Sequence, residues 1–250
     1  MNLLRENLKR HLNILCNEIG PRPYFGGNIK KASEYIKSVL TSYSCLIAEE
    51  EVNLPFMNIE EVFLKIASPL TEDVPCLPWA GFLPYFPSVQ RGEGDNIELT
   101  AFSPENNPSV YTKKAVLMDM NYETATGWDI IGIEKCSPSA IIMIDQKSGD
   151  FKHLKYGTSN LLADILVMPL MKSDVPKLVI SAKDGHFLAE LLSKEKKVFI
   201  NYRCFTCEDI VKTVNIEATF SKCSDILLWV HYDSAWECPS CTGANDNGSS

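Results

Sequence analysis

The chain has 250 residues, 45% hydrophobic and 22% charged, which allows one large domain or two small ones with a sizeable core. Its 24 Lys and Arg against 32 Asp and Glu leave a formal charge of −8, so nothing offsets phosphate repulsion and no sequence-independent nucleic-acid binding is expected. The longest apolar runs, such as Ala140–Ile144 and Ile226–Val230, are five residues, against roughly 20 needed to span a bilayer, so no membrane segment is expected either.

The opening MNLLRENLKRHLN scatters charge and has no continuous apolar stretch, so no export signal is expected. Nine cysteines then read as thiols of a reducing compartment, and the cytoplasm is the expected location. Leu4, Leu8, Leu12, Leu15 and Ile19 recur at helical spacing and predict a first helix, stopped by Gly20 and Pro21. After the turn GPRPYFGGN a second helix is predicted from Ile29 to Tyr43, with Ala32, Tyr35, Ile36, Val39, Leu40 and Tyr43 on its face.

Short β-prone runs follow: Glu60–Ala67, Ala115–Asp119, Ala140–Ile144, Ile165–Met168, Leu178–Ile180 and Val198–Tyr202. Between them, Pro75–Pro87 and Phe102–Pro108 are turn-rich. One helix is predicted over Ala182–Leu192, with Asp184 near its start. The only basic cluster, Lys194, Lys196 and Lys197, is broken by Glu195 and reads as a solvated turn. Two last strands are predicted, Thr213–Phe220 and Asp225–His231, the second apolar on both faces as if covered by helices. The texture divides the chain into 1–56, a β-rich insert 57–210, and 211–250, with the two outer pieces belonging together.

The chemistry concentrates in HYDSAWECPSCTGANDNGSS, His231 to Ser250. His is the commonest metal ligand, and its other ring nitrogen needs an acceptor to fix the tautomer. Asp233 lies on the same side of an extended chain as His231 and is a candidate acceptor. Asp246 sits in a turn between Gly243 and Gly248, and its two oxygens could bridge two cations. A lone His-x-Asp is common by chance, and Asn-Asp-Asn-Gly alone is a turn; their order after a buried strand gives them weight. Two Cys-x-x-Cys pairs, Cys204/Cys207 and Cys238/Cys241, offer a structural four-thiolate zinc site. The 30 residues between the pairs exceed the usual ribbon spacing. His11, His153 and His186 read as surface or packing residues, and Trp79, Phe82, Tyr85 and Phe86 as core of the insert.

These residues resemble the M28 metallopeptidases, aminopeptidases with two zinc ions. HYDS at 231–234 and TGANDNGSS at 242–250 match the family's pattern, with Thr242 where the family prefers Pro. CNEIGPRPYFGGNIKKASEYIKSVL is similar to its opening pair of helices, and SAIIMIDQ with VPKLVISAKDGHFLAELLSKEKKVFINY resembles an inserted protease-associated (PA) domain. The resemblance implies an α/β scaffold with a mostly parallel sheet and a β-rich PA-like insert. It also implies His231 as ligand of one zinc, Asp246 as bridge of both, Asp233 orienting His231, and a cis peptide at Asp246–Asn247. Zinc would supply an acidic water and polarise the scissile carbonyl of a peptide with a free N-terminus.

The family's general-base Glu and its remaining ligands follow later than Ser250. The expectation is therefore the front portion of a longer enzyme, carrying only the first-half ligands and inactive alone. An M20-like amidohydrolase also begins its site with His-x-Asp, but its next Asp lies farther than the 15 positions from His231 to Asp246. The alternative outside enzymes is a non-catalytic PA-type interaction module on a degenerate peptidase scaffold. Side-chain specificity and oligomeric state are not legible in these residues.

Overall fold

The computed structural model describes residues 2–24, 26–79, 89–119, 127–146, 149, 175–220 and 230–233. The chain divides into two compact units, Met1–Phe56 with Ile210–Ser250, and Met57–Asp209. The strand expected at Ile165–Met168 lies outside the described residues, as do His153, Phe82, Tyr85 and Phe86.

In the first unit, α1 (Asn2–Asn13) continues through a π-helical turn, Ile14–Ile19. Gly20 ends it at φ 76°, a conformation glycine adopts without a Cβ clash, and its N–H donates to the Leu15 carbonyl at 3.2 Å. The leucine stripe is open at its start: Leu4 is 76% and Leu8 55% exposed. The second helix, α2 (Gly27–Ser42), buries Ile29, Ala32 and Ser33. His11 Nδ1 and the Tyr35 hydroxyl, 2.5 Å apart, tie α1 to α2. The strand β1 (Leu46–Ser68) begins here, and Tyr24 donates from its hydroxyl to the Pro55 carbonyl at 2.8 Å. On β8 (Val198–Thr219), Lys212 pairs with Glu51 at 2.8 Å and Asn215 donates to Glu50 at 3.2 Å.

The second unit is a mixed α/β layer structure. Its remaining strands are β2 (Glu72–Asp73), β3 (Cys76–Pro78), β4 (Arg91–Ala101), β5 (Ala115–Asp119), β6 (Ala140–Asp145) and β7 (Lys177–Ser181). The sheet order is β2-β1-β8-β4-β5-β6-β7-β3. The pairs β4–β5, β5–β6 and β6–β7 are parallel, whereas β1–β2, β3–β7 and β4–β8 are antiparallel.

The parallel strands are apolar on both faces because both faces are covered. Ala115, Leu117, Ala140, Ile142, Ile144, Leu178 and Ile180 pack with Leu188 and Leu191 of α4 (Ala182–Lys194). The alternate residues Val116, Met118, Ile141, Met143 and Val179 pack with Trp79, Tyr111, and Ile130 and Ile133 of α3 (Gly127–Glu134). Ser181 caps α4, its Oγ accepting from the Asp184 N–H at 3.2 Å and donating to the Asp184 carboxylate at 2.6 Å. Trp79 thus lies in the core as its aromatic context suggests, 3% exposed.

The sheet curls back on itself at Gln90. A Cβ on Gly92 would run into the ring of Pro176, so the start of β4 lies against the approach to β7 although β5 and β6 separate them in the sheet. The buried Gln90 side chain joins the two approaches there: Oε1 accepts from the Lys177 N–H at 2.5 Å, and Nε2 donates to the Trp79 carbonyl. Its main chain is held by Thr206, whose Oγ1 accepts from the Gln90 N–H at 2.8 Å.

Several expectations need correction. The helix α3 falls where none is expected, because its three isoleucines carry weak helix propensity and form the helix through burial against the sheet. The strand β4 falls where no strand is expected; a register shift between Gly94 and Ile97, with Asn96 at φ 56°, accommodates its Gly, Asp and Asn. The strand β3 falls inside the turn-rich Pro75–Pro87. Val198–Tyr202 and Thr213–Phe220 are not separate: β8 runs unbroken through the acidic Glu208 and Asp209 to Thr219, since exposed charges do not interrupt backbone pairing. Of the expected strand Asp225–His231 only Val230 and His231 are described; neither is in a strand, and Val230 is 63% exposed.

Candidate functional site

The residues singled out at the chemistry-bearing end are described at 231–233. His231 and Asp233 face each other across Tyr232, where the chain bends at Asp233. The His231 Nδ1 lies 3.2 Å from the Asp233 Oδ1 and 3.2 Å from the Asp233 carbonyl oxygen. Both side chains reach solvent, at 47% and 39% exposure. An imidazole anchored through Nδ1 to a carboxylate offers Nε2 as its ligating atom, the arrangement a histidine ligand of zinc commonly takes. The chemistry of this donor pair therefore fits a zinc ligand with its supporting carboxylate.

Tyr232 is fixed from the other side. Its hydroxyl donates to the Val214 carbonyl on β8 at 2.6 Å, with Ser33 of α2 and Thr213 also interacting, and burial raises its pKa. The carbonyl of Tyr232 accepts from Arg22 Nε at 2.6 Å. Arg22 is 1% exposed, and its NH1 also donates to the carbonyls of Leu15 at 3.0 Å and Gly20 at 3.4 Å. Burial lowers the guanidinium pKa, while the charges of Cys16 and Asp233 act in the opposite direction. Sequence reasoning noted Arg22 only within the Gly-Pro-Arg stretch and gave it no part in the site.

Asp246, Cys238, Cys241 and the Asp246–Asn247 peptide lie outside the described residues. Cys204 and Cys207 are described and do not converge. Three positions apart on one strand, they leave it on opposite faces, Cys204 fully buried and Cys207 half-buried. Burial holds the Cys204 thiol up to about 12, far from the thiolate a metal needs, with Lys177 opposing the shift. Among the described residues no group of three or more His, Cys, Asp or Glu is placed to hold a metal ion. His11 contacts Tyr35, and His186 is exposed on α4.

No family model matches the sequence, and no curated protein matches it. Solved structures do match the fold. An aminopeptidase from Aneurinibacillus sp. strain AM-1 is 17% identical with a TM-score of 0.51, over 85% of this chain and 47% of that one. A peptidase M28 precursor from Shewanella amazonensis SB2B is 14% identical with a TM-score of 0.58, over 84% of this chain and 49% of that one. BSAP, a zinc aminopeptidase from Bacillus subtilis, is 15% identical with a TM-score of 0.54, over 84% and 46%. The chain thus has the α/β fold of M28-type aminopeptidase structures and spans about half the length of those it matches. Among the described residues no helix is long and apolar enough to cross a membrane.

Proposed function

We propose that this chain belongs to a metal-dependent aminopeptidase of the M28 type, acting on peptides with a free N-terminus. The observation that carries the reading is the His231–Asp233 pair, an imidazole Nδ1 held 3.2 Å from a carboxylate on a segment open to solvent. The likeness of fold to zinc aminopeptidases supports it. Zinc, when bound, supplies an acidic water and a Lewis acid for the peptide carbonyl.

In this reading His231 would be a ligand of one of two zinc ions, and Asp246 would be shared between them. Asp233 accepts the Nδ1 proton of His231 and so fixes its tautomer and aim. The segments 1–56 and 211–250 belong to the peptidase domain, and 57–210 is a PA-like insert; the division into two compact units supports this partition.

The test is an aminoacyl-anilide assay on the full-length protein with metal analysis. His231→Ala and Asp246→Ala are expected to remain folded and to lose turnover together with bound zinc. Wild-type rates in either variant refute the assignment.

A further inference from the structure

Three described segments meet at Tyr232, and the side chain that joins most of them is Arg22. Its guanidinium is buried and donates to main-chain carbonyls: Leu15 in the π-helical turn, Gly20 just past its end, and Tyr232 210 positions away in sequence. Tyr232 is also tied through its hydroxyl to Val214 on β8. The residue between His231 and Asp233 is therefore gripped at its carbonyl and at its side-chain tip. The His231–Asp233 contact closes over this residue, so the two anchors on Tyr232 fix the stretch of backbone that carries both side chains.

We propose that Arg22 is a positioning residue for the His231–Asp233 pair, setting the orientation of the imidazole through the Tyr232 carbonyl without touching the ring. A planar guanidinium suits the task because several donors leave it in fixed directions and reach acceptors from two chain segments at once. A Lys at this position would keep the charge and lose the fork. Removing the group would leave buried carbonyls without their donor and would release the peptide link between His231 and Asp233. The importance of this orientation for metal binding rests on the reading of His231 as a zinc ligand.

The experiment uses the full chain with Arg22→Ala and Arg22→Lys. Two readouts are taken: the 15N signals of the His231 ring in metal-free protein, and cobalt(II) titration followed by visible absorption, with His231→Ala as control. Arg22→Ala is expected to shift the ring away from the Nδ1–H tautomer and to weaken cobalt binding by about 10–100-fold, the usual effect of a lost supporting contact. Arg22→Lys is expected to recover part of both, and it decides the matter alone should Arg22→Ala fail to fold. Unchanged His231 ring signals overturn the inference whatever the metal does. Shifted ring signals, with cobalt bound equally by wild type and His231→Ala, refute the metal reading and leave the positioning role of Arg22 standing.

Discussion

The ammonium of Lys177 and the carboxylate of Glu134 meet at 2.6 Å with only 4% and 6% of their side chains exposed. Lys177 opens β7 and Glu134 closes α3, so the pair pins that helix to the start of that strand. The ammonium also lies 5.9 Å from the Trp79 ring centroid and donates to the Val175 carbonyl at 3.2 Å. Removing one partner strands a charge in a dry place. Glu134→Leu is therefore expected to destabilise the protein by about 3–5 kcal/mol, whereas the double change Glu134→Leu with Lys177→Met is expected to cost far less. Urea unfolding of the two single variants and the double variant checks this; equal losses for single and double variants would contradict it.

Gly185 sits on α4 where the helix crosses β6. A Cβ there would meet Ile144 at its Cγ2, with Cγ1 at 2.6 Å and Cδ1 at 2.8 Å. Gly185→Ala improves helix propensity by about 1 kcal/mol yet overfills the contact, a strain of about 1–3 kcal/mol. Net destabilisation is expected, and trimming the neighbour in Gly185→Ala/Ile144→Val is expected to restore much of it. Denaturation midpoints of the three proteins are the measurement.

Cys76 and Cys204 lie in one apolar cluster, and burial holds each thiol up to about 12. The sign follows from the reference value of 9.0. Above it the unfolded chain releases protons that the folded chain keeps, so the stabilisation is complete below about pH 9 and is lost as pH rises towards 12. Folding stability is expected to fall more steeply with alkali in wild type than in Cys204→Ala. In native protein both thiols are also expected to resist alkylation at pH 8, reacting only on unfolding. Mass spectrometry of alkylated native and urea-treated protein checks the second point.

Asp233→Asn keeps size and removes the charge that faces His231 Nδ1. Zinc affinity is expected to drop about 10–100-fold, with little change in unfolding midpoint because the pair is half-exposed. Competition with a chromophoric chelator measures the first and urea titration the second. Unaltered zinc affinity would remove Asp233 from the role of supporting carboxylate.

Much of the layer structure could be read from the residues because the strands are apolar where two helices cover them. Ala115–Asp119 coincides with β5, and Ala140–Ile144 falls one residue short of β6. The start of α4 was legible from Asp184 near its first turn, and the structure adds Ser181 as its cap. What escaped the sequence depends on distant partners. Ile130 and Ile133 become helical through a sheet, and Asp95 and Asn96 are tolerated in β4 through a bulge against β8.

The same contrast runs through the candidate site. The proximity of His231 and Asp233 was expected from the two-residue repeat of an extended chain; in the structure the pair meets where the chain bends at Asp233. By that parity Cys204 and Cys207 diverge, whereas their spacing alone suggested a knuckle. The grip of Arg22 on Tyr232 left no trace in the sequence, since its acceptor is a main-chain carbonyl that every residue possesses.

Gln90 has a consequence for how this sequence can drift. Its carboxamide must give a proton at one end and take one at the other, to Trp79 and from Lys177, within a space that admits 6% exposure. Glutamate loses the giving end, methionine loses both, and asparagine is one methylene short. Random replacement at this codon should therefore return almost only the parental amino acid among well-folded survivors, a far narrower tolerance than that of the aliphatic positions around it.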